Sequence, residues 1–172
     1  MYDGDTTPGE LGALVDKHSV PKNGLSYEYI RGLVDGEGCF TFYPGYKNKS
    51  GRKSKLPAFV LAMNERDKKL IELVRDALGL RNKIYIRNSS DKDGHKRSDV
   101  AVLVVREFDQ LKDIIIPFFY GKLRGYKGEQ FIAWLEKIGS DPDVSDRYKS
   151  LYRLYKWGIF GKLSKFTEKF KD

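Results

Sequence analysis

Ile30-Arg31-Gly32-Leu33-Val34-Asp35-Gly36-Glu37-Gly38 is the stretch on which the fold of this 172-residue chain turns. Just before it, Ser26 is a good helix N-cap, and Glu28 falls in the first turn, where a carboxylate suits the helix dipole. Tyr29, Ile30, Leu33 and Val34 then make an apolar helical stripe, and the helix should end between Gly36 and Gly38. Gly32 and Gly36 stand at i and i+4, so one face carries no side chain there, and two such helices could approach until their backbones nearly touch. Asp35 and Glu37 are two residues apart, which on a helix turns their side chains about 200° from one another. They cannot simply share one ion, and their roles should differ.

Moving outward, Cys39 to Tyr43 is rich in aromatic and β-favouring residues, and Leu56 to Met63 is a second apolar run behind a basic, glycine-containing loop. This predicts a hairpin with a long charged turn. Leu70, Ile71, Val74 and Leu78 predict an amphipathic helix that stops at Gly79. A second hairpin follows, with Ile84 and Ile86 alternating with Lys83, Tyr85 and Arg87, a polar turn from Ser89 to Ser98, and a buried strand from Val100 to Val105. Further helices are expected at about 109–118, 128–138 and 145–156. The order helix, hairpin, helix, hairpin, helices implies an α+β fold, a four-stranded antiparallel sheet with its helices on one face and the other face exposed. One domain is expected, with an N-terminal extension over 1–25, a core over 26–140 and a helical segment over 141–172. Trp134, Tyr148, Tyr152 and Tyr155 stand at helical spacing and read as core.

Composition narrows the function. The net charge is +8, and beyond the first 25 residues 30 basic side chains face 20 acidic ones, which points to a polyanionic partner. No apolar run approaches the roughly 20 residues of a membrane-spanning helix, and no secretory signal pattern opens the chain. The single cysteine, Cys39, excludes an intrachain disulfide and a cysteine-built zinc site. An intracellular, reducing setting is expected, an organelle or a prokaryotic cytoplasm.

The nine residues from Ile30 to Gly38, with the helix–hairpin–helix–hairpin order around them, resemble the signature and core of the LAGLIDADG homing endonucleases over roughly residues 26–140. The resemblance implies the family's αββαββα fold, in which signature helices pair at the centre of a two-fold or pseudo-two-fold body. Only one signature occurs here, so the chain should supply one half of a homodimer, with Gly32, Leu33, Asp35 and Gly36 at the interface, acting on a target of two similar half-sites. It also implies that Glu37, at the last acidic position of the signature, holds a divalent metal near the two-fold axis with the carbonyl of Gly36, and that Asp35 is structural. Oxygen ligands point to Mg²⁺ or Mn²⁺. Glu in place of the commoner Asp sets the carboxylate one methylene further out. By position, Asn64 matches the place of a water-ordering Gln, and Lys127 in Lys127-Gly128-Glu129-Gln130 matches a basic residue beside the scissile phosphate, with Lys122 as the fallback.

The reaction implied is hydrolysis of both DNA strands across the minor groove, leaving short 3′ overhangs, with no small-molecule substrate. The alternatives are an RNA maturase that assists intron splicing and a non-cleaving DNA-binding regulator of the same fold. Lys83, Tyr85 and Arg87 should project together from the exposed sheet face into the major groove, where Arg87 suits guanine O6 and N7. Lys47, Lys49, Arg52, Lys53 and Lys55 give five charges within nine residues and suit phosphates, with Lys96 and Arg97 at the tip of the second hairpin. Thr41, Tyr43 and alternate residues from Ala58 to Asn64 are candidate base-edge contacts.

Overall fold

A computed structural model describes residues 24–47, 49–88 and 98–171. Helix α1, Tyr27–Glu37, opens where expected, with the Ser26 hydroxyl accepting from the Tyr29 amide at 3.1 Å. It ends on Gly38, whose N–H donates to the Val34 carbonyl; a Cβ there would overlap the Val34 side chain, so the chain leaves the helix for the sheet at a point only glycine fits. Strands β1 (Gly38–Lys47) and β2 (Lys53–Asn64) form the first hairpin. Both are longer than predicted. Pro44 and Gly45, beyond the predicted strand, lie within β1; it is an edge strand, where a proline is tolerated, and the register shifts between Pro44 and Lys47.

Helix α2 (Lys68–Leu78) stops at Gly79, which has φ +70°. Strands β3 (Ile84–Arg87) and β4 (Val100–Val105) complete an antiparallel sheet of order β1-β2-β4-β3. The expected helix at 109–118 is a composite: a turn α3 (Phe108–Gln110), a π-wound stretch Leu111–Ile115, and α4 (Ile116–Phe119). Then come α5 (Tyr126–Ser140), α6 (Asp146–Lys156), and two short helices that periodicity did not reveal, α7 (Ile159–Lys162) and α8 (Ser164–Thr167).

Alternation and register assign the two faces of the sheet. Phe40, Phe42, Phe59, Leu61, Ala101, Leu103, Val105 and Ile84 face the helices and pack against Ile30, Val34, Phe119, Phe131 and Trp134. Cys39, Thr41, Tyr43, Ala58, Val60, Ala62, Val100, Val102, Val104, Tyr85 and Arg87 face the other way. Of the four aromatics expected in the core, Trp134 lies in it, while Tyr148, Tyr152 and Tyr155 are partly buried at its margin. Of the predicted extension only Gly24 and Leu25 fall within the described residues, and among those residues no helix is long and apolar enough to cross a membrane.

Candidate nucleic-acid interface and cleavage site

Within α1, Ile30 and Val34 are fully buried, while Tyr29, Gly32, Gly36 and Glu37 are exposed and Leu33 is half-buried. A Cβ on Gly32 or Gly36 would meet nothing within 4 Å, so this face of the helix is open in the single chain. The side chain of Glu37, in the last helical position, has no hydrogen bond or ion pair among the described residues. Asp35 behaves differently: its carboxylate accepts from the backbone amides of Arg124, at 3.1 Å, and Gly125, at 3.4 Å. The Asp35 acid group is thus committed within the chain. Gly125 is the N-cap of α5, and Lys127 lies in that helix's first turn. Asp35 therefore ties the end of the signature helix to the helix start that bears Lys127, and α1 packs on α5. Glu37 is the last residue of α1, and Lys127 the second of α5. Lys122 lines a cleft with Tyr120, Phe166 and Phe170.

Sequence reasoning missed Arg31. Its side chain is buried, with only 2% of the residue exposed; Nε donates to the Phe118 carbonyl at 3.3 Å, Nη2 to the Phe170 carbonyl at 3.2 Å and Nη1 to Glu28 at 3.0 Å, and the guanidinium lies over the Phe118 ring. It fastens α1 to α4 and to the C-terminal segment. No local pattern marks this, since two of its partners lie 87 and 139 residues away.

Asn64 ends β2, and its side-chain oxygen accepts from the backbone N–H of Arg66, at 3.0 Å, and from Arg66 Nε, at 3.2 Å, capping the turn Glu65–Asp67. Only its amide NH₂ is left to act on a water. Lys47, Lys49, Arg52 and Lys53 are exposed around the tip of the first hairpin, with Lys47 opposite Lys53. Lys55 is not with them. It alternates onto the helix side and bonds Asp141 at 2.7 Å, while its backbone N–H donates to the Asp143 carbonyl. Asp141 is thereby held below the usual carboxylate range, chiefly by the Lys55 ammonium and also by the Asp143 amide. Lys96 and Arg97 lie outside the described residues, as does His95.

On the open face, Lys83, Tyr85 and Arg87 are exposed, as alternation predicts. Tyr43 reaches them: burial pushes its phenol pKa up, a hydrogen bond donated to Tyr85 adds to this, and Arg87 and Arg106 pull weakly the other way. Its hydroxyl stays protonated and able to donate. Arg106 was overlooked, although it continues the alternation Val100, Val102, Val104; it lines a shallow pocket with Tyr43, Lys83 and Tyr85. The start of β3 is fixed by buried Gln110, which donates to the Asn82 side-chain oxygen at 2.8 Å and accepts from the Arg81 backbone N–H at 2.8 Å.

A model of the LAGLIDADG endonuclease family matches residues 30–138. The chain belongs to that family. No curated protein matches it. The LAGLIDADG chain is similar to the solved structure of the I-LtrWI homing endonuclease bound to target DNA, at 30% identity and a TM-score of 0.53, covering 73% of this chain and 41% of that one. Its fold also matches I-SmaMI bound to cleaved DNA, at 23% identity and a TM-score of 0.54 over 74% and 41% of the two chains. A third match is I-GzeII in complex with its DNA target, at 21% identity and a TM-score of 0.50 over 93% and 48%. The chain spans less than half the length of each of these three. The family and the four-stranded α+β fold expected from the sequence are thus both found.

Proposed function

We propose that this chain is one half of a site-specific double-strand DNA endonuclease that acts as a homodimer on a long, partly palindromic site with Mg²⁺ or Mn²⁺. The observation that carries the reading is Glu37: a carboxylate without a partner among the described residues, at the end of a helix with an open two-glycine face, at the start of a sheet rimmed by basic side chains. The Glu37 carboxylate and the Gly36 carbonyl are hard oxygen donors at the negative end of a helix dipole, a donor set that fits a hard divalent cation. No group of three His, Cys, Asp or Glu side chains that could hold an ion is found among the described residues, which agrees with a site completed by a second copy and by DNA phosphate. Bound there, such a cation would supply Lewis-acid charge and a water of lowered pKa.

The chain's own residues account for the rest. Lys127 sets a positive charge beside the scissile phosphate, where charge grows in the transition state. The Asn64 amide orders a water. Lys47, Lys49, Arg52 and Lys53 bind phosphates, while Lys83, Tyr85 and Arg87 read base edges in the major groove. The faces of Gly32, Leu33 and Gly36 pack against their copies in the second chain.

Cleavage of a randomised duplex library with Mg²⁺, by the wild type and by Glu37→Gln, tests the reading. The wild type should cut both strands of a selected sequence, and Glu37→Gln should bind it and leave it whole. A wild type that binds duplex tightly and never cuts refutes the enzyme; a Glu37→Gln protein that cuts normally refutes the metal role.

A further inference from the structure

The open face of the sheet differs in chemistry between its middle and its edges. Its outer strands are polar, with Cys39, Thr41 and Tyr43 on β1 and Tyr85 and Arg87 on β3, Lys83 standing just before. Between the polar Ser54 and Asn64 at the two ends of β2, the middle strands present methyl-bearing side chains: Ala58, Val60 and Ala62 on β2, and Val100, Val102 and Val104 on β4, with Val60 opposite Val104 and Ala62 opposite Val102. Ala58 and Val102 are closed off at 0% and 1% exposure, whereas Val60, Ala62, Val100 and Val104 remain part-exposed. The result is an apolar strip between polar margins that carry Lys83, Arg87 and Arg106, with the exposed Lys49 and Arg52 in the loop beyond one end of the sheet. That positive charge suits a polyanion and no apolar protein partner.

The strip has no side chain able to form a hydrogen bond, so it cannot tell one pattern of base donors and acceptors from another. Only one group in the major groove of unmodified DNA is apolar, the C5 methyl of thymine, and apolar side chains are what recognise it. Resting on the reading of the chain as a DNA endonuclease, we infer that the strip of Val60, Ala62, Val100 and Val104 reads the middle of each half-site through thymine methyl groups. Hydrogen-bond readout is confined to the margins, through Tyr43, Tyr85, Arg87 and Arg106. The preferred half-site is therefore rich in A·T pairs beneath the centre of the sheet, with hydrogen-bonded specificity on either side.

The test starts from a duplex selected by the full-length chain from a randomised library. Each thymine in turn is replaced by deoxyuridine, which keeps every hydrogen-bonding group and lacks the methyl. Replacement under the strip should weaken binding by about fourfold per methyl group, and replacement outside the sheet's footprint should change nothing. The double variant Val60→Thr, Val104→Thr, which keeps the β-branched shape, should shrink the thymine-over-uracil ratio while the salt dependence of binding stays the same. A selected site with G·C pairs at those positions, or uracil bound as well as thymine throughout, overturns the inference and leaves the endonuclease reading standing. If no duplex is retained from the library, both fall.

Discussion

Arg31 stands inside the signature helix where a small residue would suffice for helix formation, and its guanidinium is spent on two backbone carbonyls and on Glu28. Removing a buried charged donor leaves those carbonyls unpaired, at a cost of roughly 1–3 kcal/mol for each group. Arg31→Met, which keeps the length of the stem, should lower unfolding stability by about 2–4 kcal/mol, read as a lower urea midpoint, and should make the chain after Leu163 more sensitive to protease. A midpoint unchanged from wild type would mean that the C-terminal segment is held without it. Cys39 offers a second probe at this scale. It is the one cysteine of the chain, exposed, two residues from Glu37 and on the open sheet face opposite Val60. Its alkylation by a maleimide should be blocked by a bound target duplex, and prior alkylation should abolish binding; equal reaction rates with and without duplex would remove this face from the interface.

At the scale of elements, what could be read from the sequence and what could not divide by distance along the chain. Period-two alternation from Lys83 to Arg87 and the stripe of α2 are local, and both elements appear where they were expected. The edge-strand extension through Pro44 and the π-wound stretch Leu111–Ile115 depend on neighbours that only the folded sheet and helices provide. The same holds for Asp35 and Lys55, whose partners lie 89, 90 and 86 residues away. Lys55 shows how alternation misleads when the face is unassigned: it belongs to the basic loop by sequence and to the helix side by register. Its pair with Asp141 joins β2 to the turn between α5 and α6. The Asp141 carboxyl is depressed in the folded chain, so it contributes stability above its unfolded value of about 3.9 and loses it as the pH falls through the folded value. Urea midpoints of wild type and Asp141→Asn should therefore differ at neutral pH, with wild type the more stable, and converge below about pH 4. A gap that stays constant down to pH 3 would assign the effect to the turn's backbone hydrogen bonds instead.

At the scale of the whole molecule the stoichiometry is tested at Gly32, with Gly139 as the contrasting case of a glycine packed within the chain. Gly139, within α5, touches the Tyr152 ring of α6 so closely that a Cβ would overlap it, so Gly139→Ala should destabilise the chain by about 1–3 kcal/mol through overpacking. Gly32 sits inside α1 with open space beyond it. In the single chain Gly32→Ala should raise stability by about 0.5–1 kcal/mol, because alanine loses less backbone entropy in a helix. In a homodimer paired through α1, the same methyl stands between two backbones. The variant should then melt higher than wild type at nanomolar concentration, where dissociated chains dominate, yet dimerise at least tenfold more weakly in sedimentation and lose cleavage of a palindromic duplex. Mass action links the two effects, so protein concentration separates them. If Gly32→Ala is more stable at every concentration and cuts as well as wild type, α1 does not pair with a copy of itself, and the half-enzyme reading fails even if DNA is still bound.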